Sequence, residues 1–209
     1  LMRILCDEYD YEWDDAWKIV KGTVAYTNHT VMAEALEKWS QETVQKLLPR
    51  IYMIIEEIDR RWKFEVDHLG LCAIYPNVAV LREGQVHMAN LAIVGSHSVN
   101  GVAKLHSKIL VDDVFKDFVT IEPSLFNNKT NGITHRRWLM YCNPQLTSLL
   151  EDTIGDEFKT DPEKLQDLMA YVEDPVLQQK FMDVKKQRKQ ILADYIKKTM
   201  NIDVNVNSI

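Results

Sequence analysis

The strongest constraint on the fold is a stripe of apolar residues that recurs at helical spacing in the middle of the chain. Its members are Ile51, Ile54, Ile55, Ile58, Trp62 and Val66. Residues at these intervals share one face of a helix, so the stripe predicts a long amphipathic helix with one buried face. Gly70 follows the stripe, and we expect the helix to end there because glycine readily adopts the backbone of a helix terminus.

Three more helices are predicted in the last third of the chain, because each is opened by a capping side chain followed by proline. The pairs are Asn143-Pro144, Asp161-Pro162 and Asp174-Pro175. Shorter helices are predicted at 14–21, 31–39 (with Thr30 as candidate N-cap), 89–94 and 102–110, and a short helix or turn at 115–118. The turn signal Arg82-Glu-Gly84 predicts a short β-hairpin near 74–88, and residues 119–133 are predicted to be loop.

The composition predicts a folded protein and argues against two classes of partner. Of the 209 residues 46% are apolar, which is enough for a sizeable core. With 25 basic and 31 acidic residues the net charge is −6, so nothing favours binding to nucleic acid or to an anionic membrane. Cys6, Cys72 and Cys142 are far apart and odd in number, which is typical of a reducing cytosol. No apolar run approaches the roughly 20 residues of a membrane span.

Three polar blocks interrupt the helical pattern, at residues 26–30 (YTNHT), 95–103 (GSHSVNGVA) and 128–138 (NKTNGITHRRW). Core packing does not require such blocks. They gather amides, hydroxyls, imidazoles and glycines, which suit hydrogen bonding to a polyhydroxylated ligand in a concave site.

Taken singly, the residues of these blocks also have ordinary structural explanations. A loop histidine such as His29 can tie down backbone carbonyls, and Asn131 can belong to a simple turn. Ser96 and His97 are adjacent, which rarely allows the geometry of a nucleophile and its base. Trp138 can be a core residue beside a solvated arginine pair. The interpretation therefore depends on the combination and order of the three blocks.

Together the blocks resemble the α-glucan phosphorylase family, which includes glycogen, starch and maltodextrin phosphorylases. The family carries Tyr-Thr-Asn-His-Thr, Ser-His-Ala-Val-Asn-Gly-Val-Ala and Asn-Lys-Thr-Asn-Gly-Ile/Val-Thr-Pro-Arg-Arg-Trp-Leu in this order, and the resemblance extends over the whole chain. It implies an α/β parent of the glycosyltransferase-B type, with two Rossmann-like domains facing a cleft. This chain would be predominantly α-helical, with residues 1–130 ending the first domain and residues 131–209 opening the second.

The resemblance also assigns roles residue by residue. His29 matches the histidine that hydrogen-bonds the 6-hydroxyl of the bound glucosyl unit, and Asn131 matches the asparagine that shares this hydroxyl. Val102 matches a residue lining the same pocket, and Trp138 matches a tryptophan packed near the cofactor. An imidazole and an amide on one hydroxyl discriminate well, because a sugar lacking it leaves both unpaired. His135 stands where the family usually has proline, and we expect a looser turn there.

The activity implied by the resemblance is phosphate-dependent release of glucose 1-phosphate from α-1,4-glucan ends, with pyridoxal 5′-phosphate as cofactor. The parent is expected to be a cytoplasmic homodimer. The family's cofactor-bearing lysine and phosphate-binding residues would lie outside this chain, so no catalytic residue is assigned within it and the chain alone is expected to be inactive.

The chain is interpreted as an internal piece of a longer protein, because it begins at Leu1 in an apparent mid-helix and stops in what resembles the start of a strand. Two alternatives stay open. One is a non-catalytic helical interaction module derived from such an enzyme, and the other is a stand-alone carbohydrate-binding domain. The rest of the reading frame would separate the enzyme from the module.

Overall fold

A computed structural model describes residues 1–208, and the chain divides into two compact units, Leu1–Asn131 and Gly132–Ile209. The α-helices are α1 Met2–Glu8, α2 Trp13–Thr23, α3 Gln41–Leu47, α4 Pro49–His68, α5 Tyr75–Val78, α6 Met88–Gly95, α7 Lys104–Ile109, α8 Lys116–Ile121, α9 Pro144–Ile154 and α10 Pro175–Met200. The strands are β1 Tyr26–Thr27, β2 Lys38–Ser40, β3 Leu81–Arg82, β4 Gln85–His87, β5 Val99–Gly101 and β6 Phe126–Asn128. The predominantly helical character predicted from the sequence is confirmed.

Shorter helical segments connect these elements. Segments of 3-10 helix lie at Ala33–Ala35, Cys72–Ile74, Pro123–Leu125, Glu157–Lys159, Pro162–Tyr171 and Val206–Ser208. Segments of π-helix lie at Leu110–Val114 and Arg136–Tyr141. Among the helices of residues 1–208, none combines the length and the apolar character needed to cross a membrane.

Helix α4 carries the predicted apolar stripe, and its core-facing residues are buried as the spacing requires. Pro49 occupies the first turn, where its missing N–H costs nothing. At the other end Gly70 has a φ of 74°, its N–H donates to the Asp67 carbonyl, and the Leu71 N–H donates to the Val66 carbonyl. These two bonds form the left-handed C-terminal motif that favours glycine, which confirms the predicted end of the helix.

The three predicted helix starts in the last third are confirmed as capped starts. Asn143 accepts a hydrogen bond from the Leu146 N–H, Asp161 from the Glu163 N–H and Asp174 from the Val176 N–H. The middle one opens a 3-10 helix and not an α-helix, so the helix type predicted there is wrong.

The predicted helix over 31–39 is wrong. This segment holds the 3-10 turn Ala33–Ala35, and residues 38–40 form β2. Strand β2 pairs antiparallel with β4, so that Trp39 lies opposite Val86. The pairing gives the backbone of residues 38–40 hydrogen-bond partners in a sheet, and this long-range contact overrides the local helical pattern. Thr30 does not cap a helix, because its hydroxyl accepts a bond from the nearby Met32 N–H.

The predicted hairpin is present but shorter than 74–88. Strands β3 and β4 pair antiparallel around Glu83 and Gly84, which have φ angles of 54° and 73°. The preceding residues, Tyr75–Val78, are helical. With β2 on the other side of β4, the hairpin belongs to a three-stranded sheet in the order β2-β4-β3.

The predicted loop over 119–133 is wrong for its first ten residues. Helix α8 continues to Ile121, a 3-10 turn follows, and Phe126–Asn128 forms β6. Strands β1 and β5 were also missed, although both lie inside polar blocks. A strand of two or three residues is too short to show an alternating pattern, so its existence is decided by its partners.

The first unit has one continuous apolar core. Its buried members come from α1, α2, α4, α5, α6, α8, strands β4 and β5 and the segments that connect these elements: Met2, Ala16, Val20, Ile54, Ile55, Ile58, Trp62, Val66, Val78, Val80, Val86, Ala89, Ile93, Val94, Val99, Leu110, Phe115, Phe118 and Leu125. The Trp62 indole N–H donates to the Val78 carbonyl, so this large side chain is buried without an unpaired donor.

Candidate functional site

A second sheet joins the three polar blocks, which are about 30 to 70 residues apart in sequence. Its strands are parallel, in the order β1-β5-β6. Tyr26 lies opposite Val99, and Val99 lies opposite Phe126. The strands come from the first block, from the second block and from the residues that lead into the third. The sheet therefore unites blocks that the sequence presents separately.

The carboxyl ends of parallel strands meet at one edge of a sheet, which is the usual place for ligands in α/β proteins. His29 follows β1 at this edge, Val102 follows β5, and Asn131 follows β6. All three belong to the first unit, of which Asn131 is the last residue. The His29 and Asn131 side chains are exposed, and Val102 is half-buried.

Backbone hydrogen bonds hold these loops together beyond the strands themselves. The Asn28 N–H donates to the Asn100 carbonyl at 2.9 Å. The Asn131 N–H donates to the Val102 carbonyl at 3.1 Å. Backbone hydrogen bonds between the loops thus extend almost to each of the three residues. They limit how far the loops can move apart.

Asn28, the neighbour of His29, is buried, with 1% of its surface exposed. Its carboxamide nitrogen donates to the Tyr26 hydroxyl, and its carboxamide oxygen accepts from the Thr30 N–H and from the His106 ring. A buried amide is costly unless it is hydrogen-bonded, and here both ends of the amide are used.

Helix α7 packs very closely against the end of β5. A Cβ atom added to Gly101 would lie 2.5 Å from the Ser107 Oγ and 2.9 Å from the Ser107 Cα, so only glycine fits without a backbone shift. The Ser107 hydroxyl donates to the Asn128 side chain at 2.8 Å, which links the helix to the end of β6. Gly101 therefore allows the close approach between helix α7 and strand β5.

The edge offers hydrogen-bond donors and acceptors. The imidazole of His29 can donate from one nitrogen and accept at the other, and the Asn131 amide can do both as well. In residues 1–208, no group of three or more His, Cys, Asp or Glu side chains is arranged to hold a metal ion. Groups of this kind at the rim of a sheet suit a neutral ligand with several hydroxyls.

Ser96 and His97 do not form a nucleophile and base. Ser96 is buried, and its hydroxyl donates to the Ala92 carbonyl at 2.6 Å. The His97 ring donates through Nδ1 to the Lys21 carbonyl at 3.1 Å. Both side chains therefore hydrogen-bond backbone carbonyls. They precede β5 and lie at the edge of the sheet opposite to His29.

Trp138 lies in the second unit, on the π-helical segment Arg136–Tyr141, and is 70% exposed. It borders a groove lined also by Gly132, Ile133, Thr134, His135 and Leu139. A free indole face beside an open groove fits packing against a flat ring. Trp138 is therefore not a core residue of this unit, which the sequence had left open.

His135, which precedes this segment, has a φ of −65° and a ring nitrogen that donates to the Lys159 carbonyl at 3.1 Å. The backbone angle is the one that proline would adopt. The histidine side chain thus supplies a tertiary contact at the turn that the family's proline could not make.

Sequence reasoning missed His106 and the role of Asn28. Both look unremarkable in the chain, since one sits on a predicted amphipathic helix and the other is flanked by more conspicuous residues. The available signal was the short spacing of His106, which follows Val102 by four residues.

A parallel sheet is typical of α/β proteins, and polar groups at its carboxyl edge suit a ligand with several hydroxyls. A family model described as carbohydrate phosphorylase matches residues 1–209, so the chain belongs to the carbohydrate phosphorylase family. The resemblance inferred from the three blocks is thereby confirmed.

Curated relatives agree with the family assignment. The chain is 49% identical over 211 residues to glycogen phosphorylase of Bacillus subtilis (strain 168), covering all of this chain and 26% of that protein. It is 43% identical over 217 residues to the muscle form of glycogen phosphorylase from Bos taurus and 43% identical over 219 residues to the brain form from Homo sapiens, covering 25% of each. The chain thus spans about a quarter of the length of these relatives.

Proposed function

We propose that the complete protein containing this chain is an α-glucan phosphorylase, which uses inorganic phosphate to release glucose 1-phosphate from α-1,4-glucan ends. The observation that carries the proposal is the meeting of three polar blocks at the carboxyl edge of one parallel sheet, in a chain similar throughout to glycogen phosphorylases. By the same similarity, the complete protein is proposed to be a cytosolic homodimer.

Within this chain, we assign His29, Asn131 and Val102 to the pocket of the glucosyl unit. The exposed imidazole and amide would share the 6-hydroxyl, and Val102 would form an apolar wall. Both polar groups would lose a partner if the sugar lacked that hydroxyl, so the site would select against 6-deoxy sugars.

The proposed cofactor is pyridoxal 5′-phosphate, and Trp138 is the residue of this chain that we assign to it. Its 70% exposed indole and the adjacent groove leave room for a flat ring. When bound, the cofactor would supply a phosphate group that relays protons. The role of Trp138 would be to limit the position of the ring and to exclude water from it.

The first test is phosphate-dependent release of glucose 1-phosphate from maltodextrin by the complete protein. Release is expected with inorganic phosphate and not without it. If the purified, cofactor-loaded protein releases none, the proposal is wrong, and the non-catalytic helical module becomes the better explanation.

The site assignment is tested by His29→Ala in the complete protein. Loss of one hydrogen bond to the sugar is expected to weaken transition-state binding by about 1–3 kcal/mol, measured as kcat/KM. His97→Ala is the matched control, because His97 lies at the opposite edge of the same sheet and its ring hydrogen-bonds the Lys21 carbonyl. An unchanged kcat/KM for His29→Ala would remove His29 from the site.

A further inference from the structure

Helix α7 begins directly after the loop that carries Val102, and consecutive residues of this helix contact the ends of two other strands. The His106 ring reaches Asn28 after β1, and the Ser107 hydroxyl reaches Asn128 at the end of β6. One helical turn therefore connects all three strand ends that carry the proposed sugar contacts.

We propose that His106 is a positioning residue for this site, which together with Asn28 sets the place of His29 relative to Val102. The inference rests on the proposed function, since it concerns the same sugar pocket. In this role His106 does not contact the ligand.

The hydrogen bonds define the state of the His106 ring. The Val102 N–H can only donate, so Nδ1 of His106, 3.1 Å away, accepts and carries no proton. Nε2 then carries the proton and donates to the Asn28 carboxamide oxygen at 3.1 Å. Both ring nitrogens are used, which leaves neither for a ligand and explains why the role is positional.

Asn28 transmits this constraint to His29. Its carboxamide oxygen also accepts from the Thr30 N–H at 2.9 Å, which closes a turn with His29 at its centre. The residues on both sides of His29 are thus fixed by one buried oxygen, and that oxygen is fixed by His106. Loss of the ring would free the turn and leave the buried amide oxygen with one partner fewer.

The test uses the complete protein in the direction of glucan elongation, with glucose 1-phosphate and 6-deoxyglucose 1-phosphate as donors. The measured quantity is the ratio of their kcat/KM values. A purely structural defect lowers the active fraction for both donors and leaves the ratio unchanged, whereas a misplaced His29 weakens only the contact with the 6-hydroxyl.

We expect His106→Leu to lower the ratio about tenfold, the effect of one misplaced hydrogen bond. His106→Gln should recover part of it, because an amide offers one acceptor and one donor as the neutral ring does. Asn28→Ser removes the same link from the other side and should also lower the ratio, so the result does not depend on one variant folding. His97→Leu is the matched control and should leave the ratio unchanged.

The outcomes separate this inference from the proposed function. If the wild type is active and discriminates, but both His106→Leu and Asn28→Ser keep its ratio, the positioning role is wrong and the function stands. If the wild type is active and does not discriminate, the assignment of the sugar pocket is wrong, and this inference with it. A wild type without phosphorolysis overturns both.

Discussion

The two units of the chain differ in how completely they bury their apolar residues. In the first, α4 and both sheets enclose a continuous core, and the stripe of α4 is buried except for the half-buried Ile51. In the second, buried apolar residues are few: Leu149, Leu150, Phe158 and Ala193. Helix α10 spans 26 residues and carries an apolar stripe of Leu177, Phe181, Val184, Ile191 and Tyr195. Of these, Phe181 and Tyr195 are 42% and 63% exposed.

This difference shows that an apolar stripe along a helix does not by itself predict that the stripe is buried. Capping and periodicity are properties of the segment itself, so α10 begins at Asp174 as expected. Burial requires a second surface within reach, and within the second unit little surface faces this stripe. The stability of the first unit should therefore depend on dense packing throughout its core, and the stability of the second unit on a few buried side chains.

The largest effect on stability is expected at Phe158, which is the one large side chain of the second unit that is fully buried among the described residues. Phe158→Ala should destabilise the unit by about 3–5 kcal/mol, because it removes a buried aromatic ring and leaves a cavity. Hydrogen exchange of α9 peptides in the complete protein measures this locally, and amide protection should fall at least a hundredfold.

Phe181→Ala is the matched control for this variant. Because Phe181 is partly exposed, its loss should cost well under half as much. Equal effects of the two substitutions would mean that the second unit is packed as evenly as the first.

A smaller loss of stability is expected at Gly101, where helix α7 packs closely against β5 in the first unit. Gly101→Ala forces Ser107 and its backbone away from β5, which should cost about 1–3 kcal/mol and loosen the site edge. Gly22→Ala is the control, because Gly22 lies in α2 with open space around it and alanine is the better helix former. Hydrogen exchange of α7 and α2 peptides should show a loss in the first variant and a slight gain in the second.

A pH effect is expected at a buried polar group of the first unit. Burial, together with the nearby Arg82 and Lys38, lowers the pKa of His87 below its ordinary 6.5. Between the pKa of the folded state and pH 6.5, the unfolded chain binds a proton at His87 that the folded chain does not bind. The stability that depends on neutral His87 is therefore fully present above pH 6.5 and is lost as the pH falls through the pKa of the folded state.

His87→Asn should accordingly flatten the decline of the melting temperature between pH 7 and pH 5. His68→Asn, which alters an exposed histidine on α4, is the reference. A wild type and a His87→Asn variant with parallel pH profiles would contradict this account of His87.

The smallest effect is expected at the turn that opens the segment carrying Trp138. His135→Pro loses the bond to the Lys159 carbonyl but keeps a φ that proline accepts and stiffens the unfolded chain. These terms of about 1 kcal/mol each should nearly cancel. His135→Ala loses the bond alone, so hydrogen exchange over residues 136–141 should be faster in His135→Ala than in His135→Pro. The reverse order would show that the turn cannot accept proline.

The candidate site was predictable in part. The blocks, their family and the candidate residues His29, Val102 and Asn131 follow from short motifs in the sequence. The parallel sheet that unites them does not, because its strands have only two or three residues and their partners are distant. The Thr27 hydroxyl bonds the Asn100 side chain 73 residues away. For the same reason the link from His106 to Asn28, 78 residues apart, has no sequence signal.

Local physical chemistry determined what the sequence could show by itself: the length and apolar face of α4, its end at Gly70, and the capped starts at Asn143, Asp161 and Asp174. Helical periodicity, capping and glycine termini each act within a few residues, so they can be recognised without a structure. Tertiary structure alone decided that residues 38–40 form a strand, that the polar blocks share one sheet, and which apolar stripes are buried. Hydrogen bonds between distant strands and the presence of an opposing surface depend on the whole fold, and no segment carries that information alone.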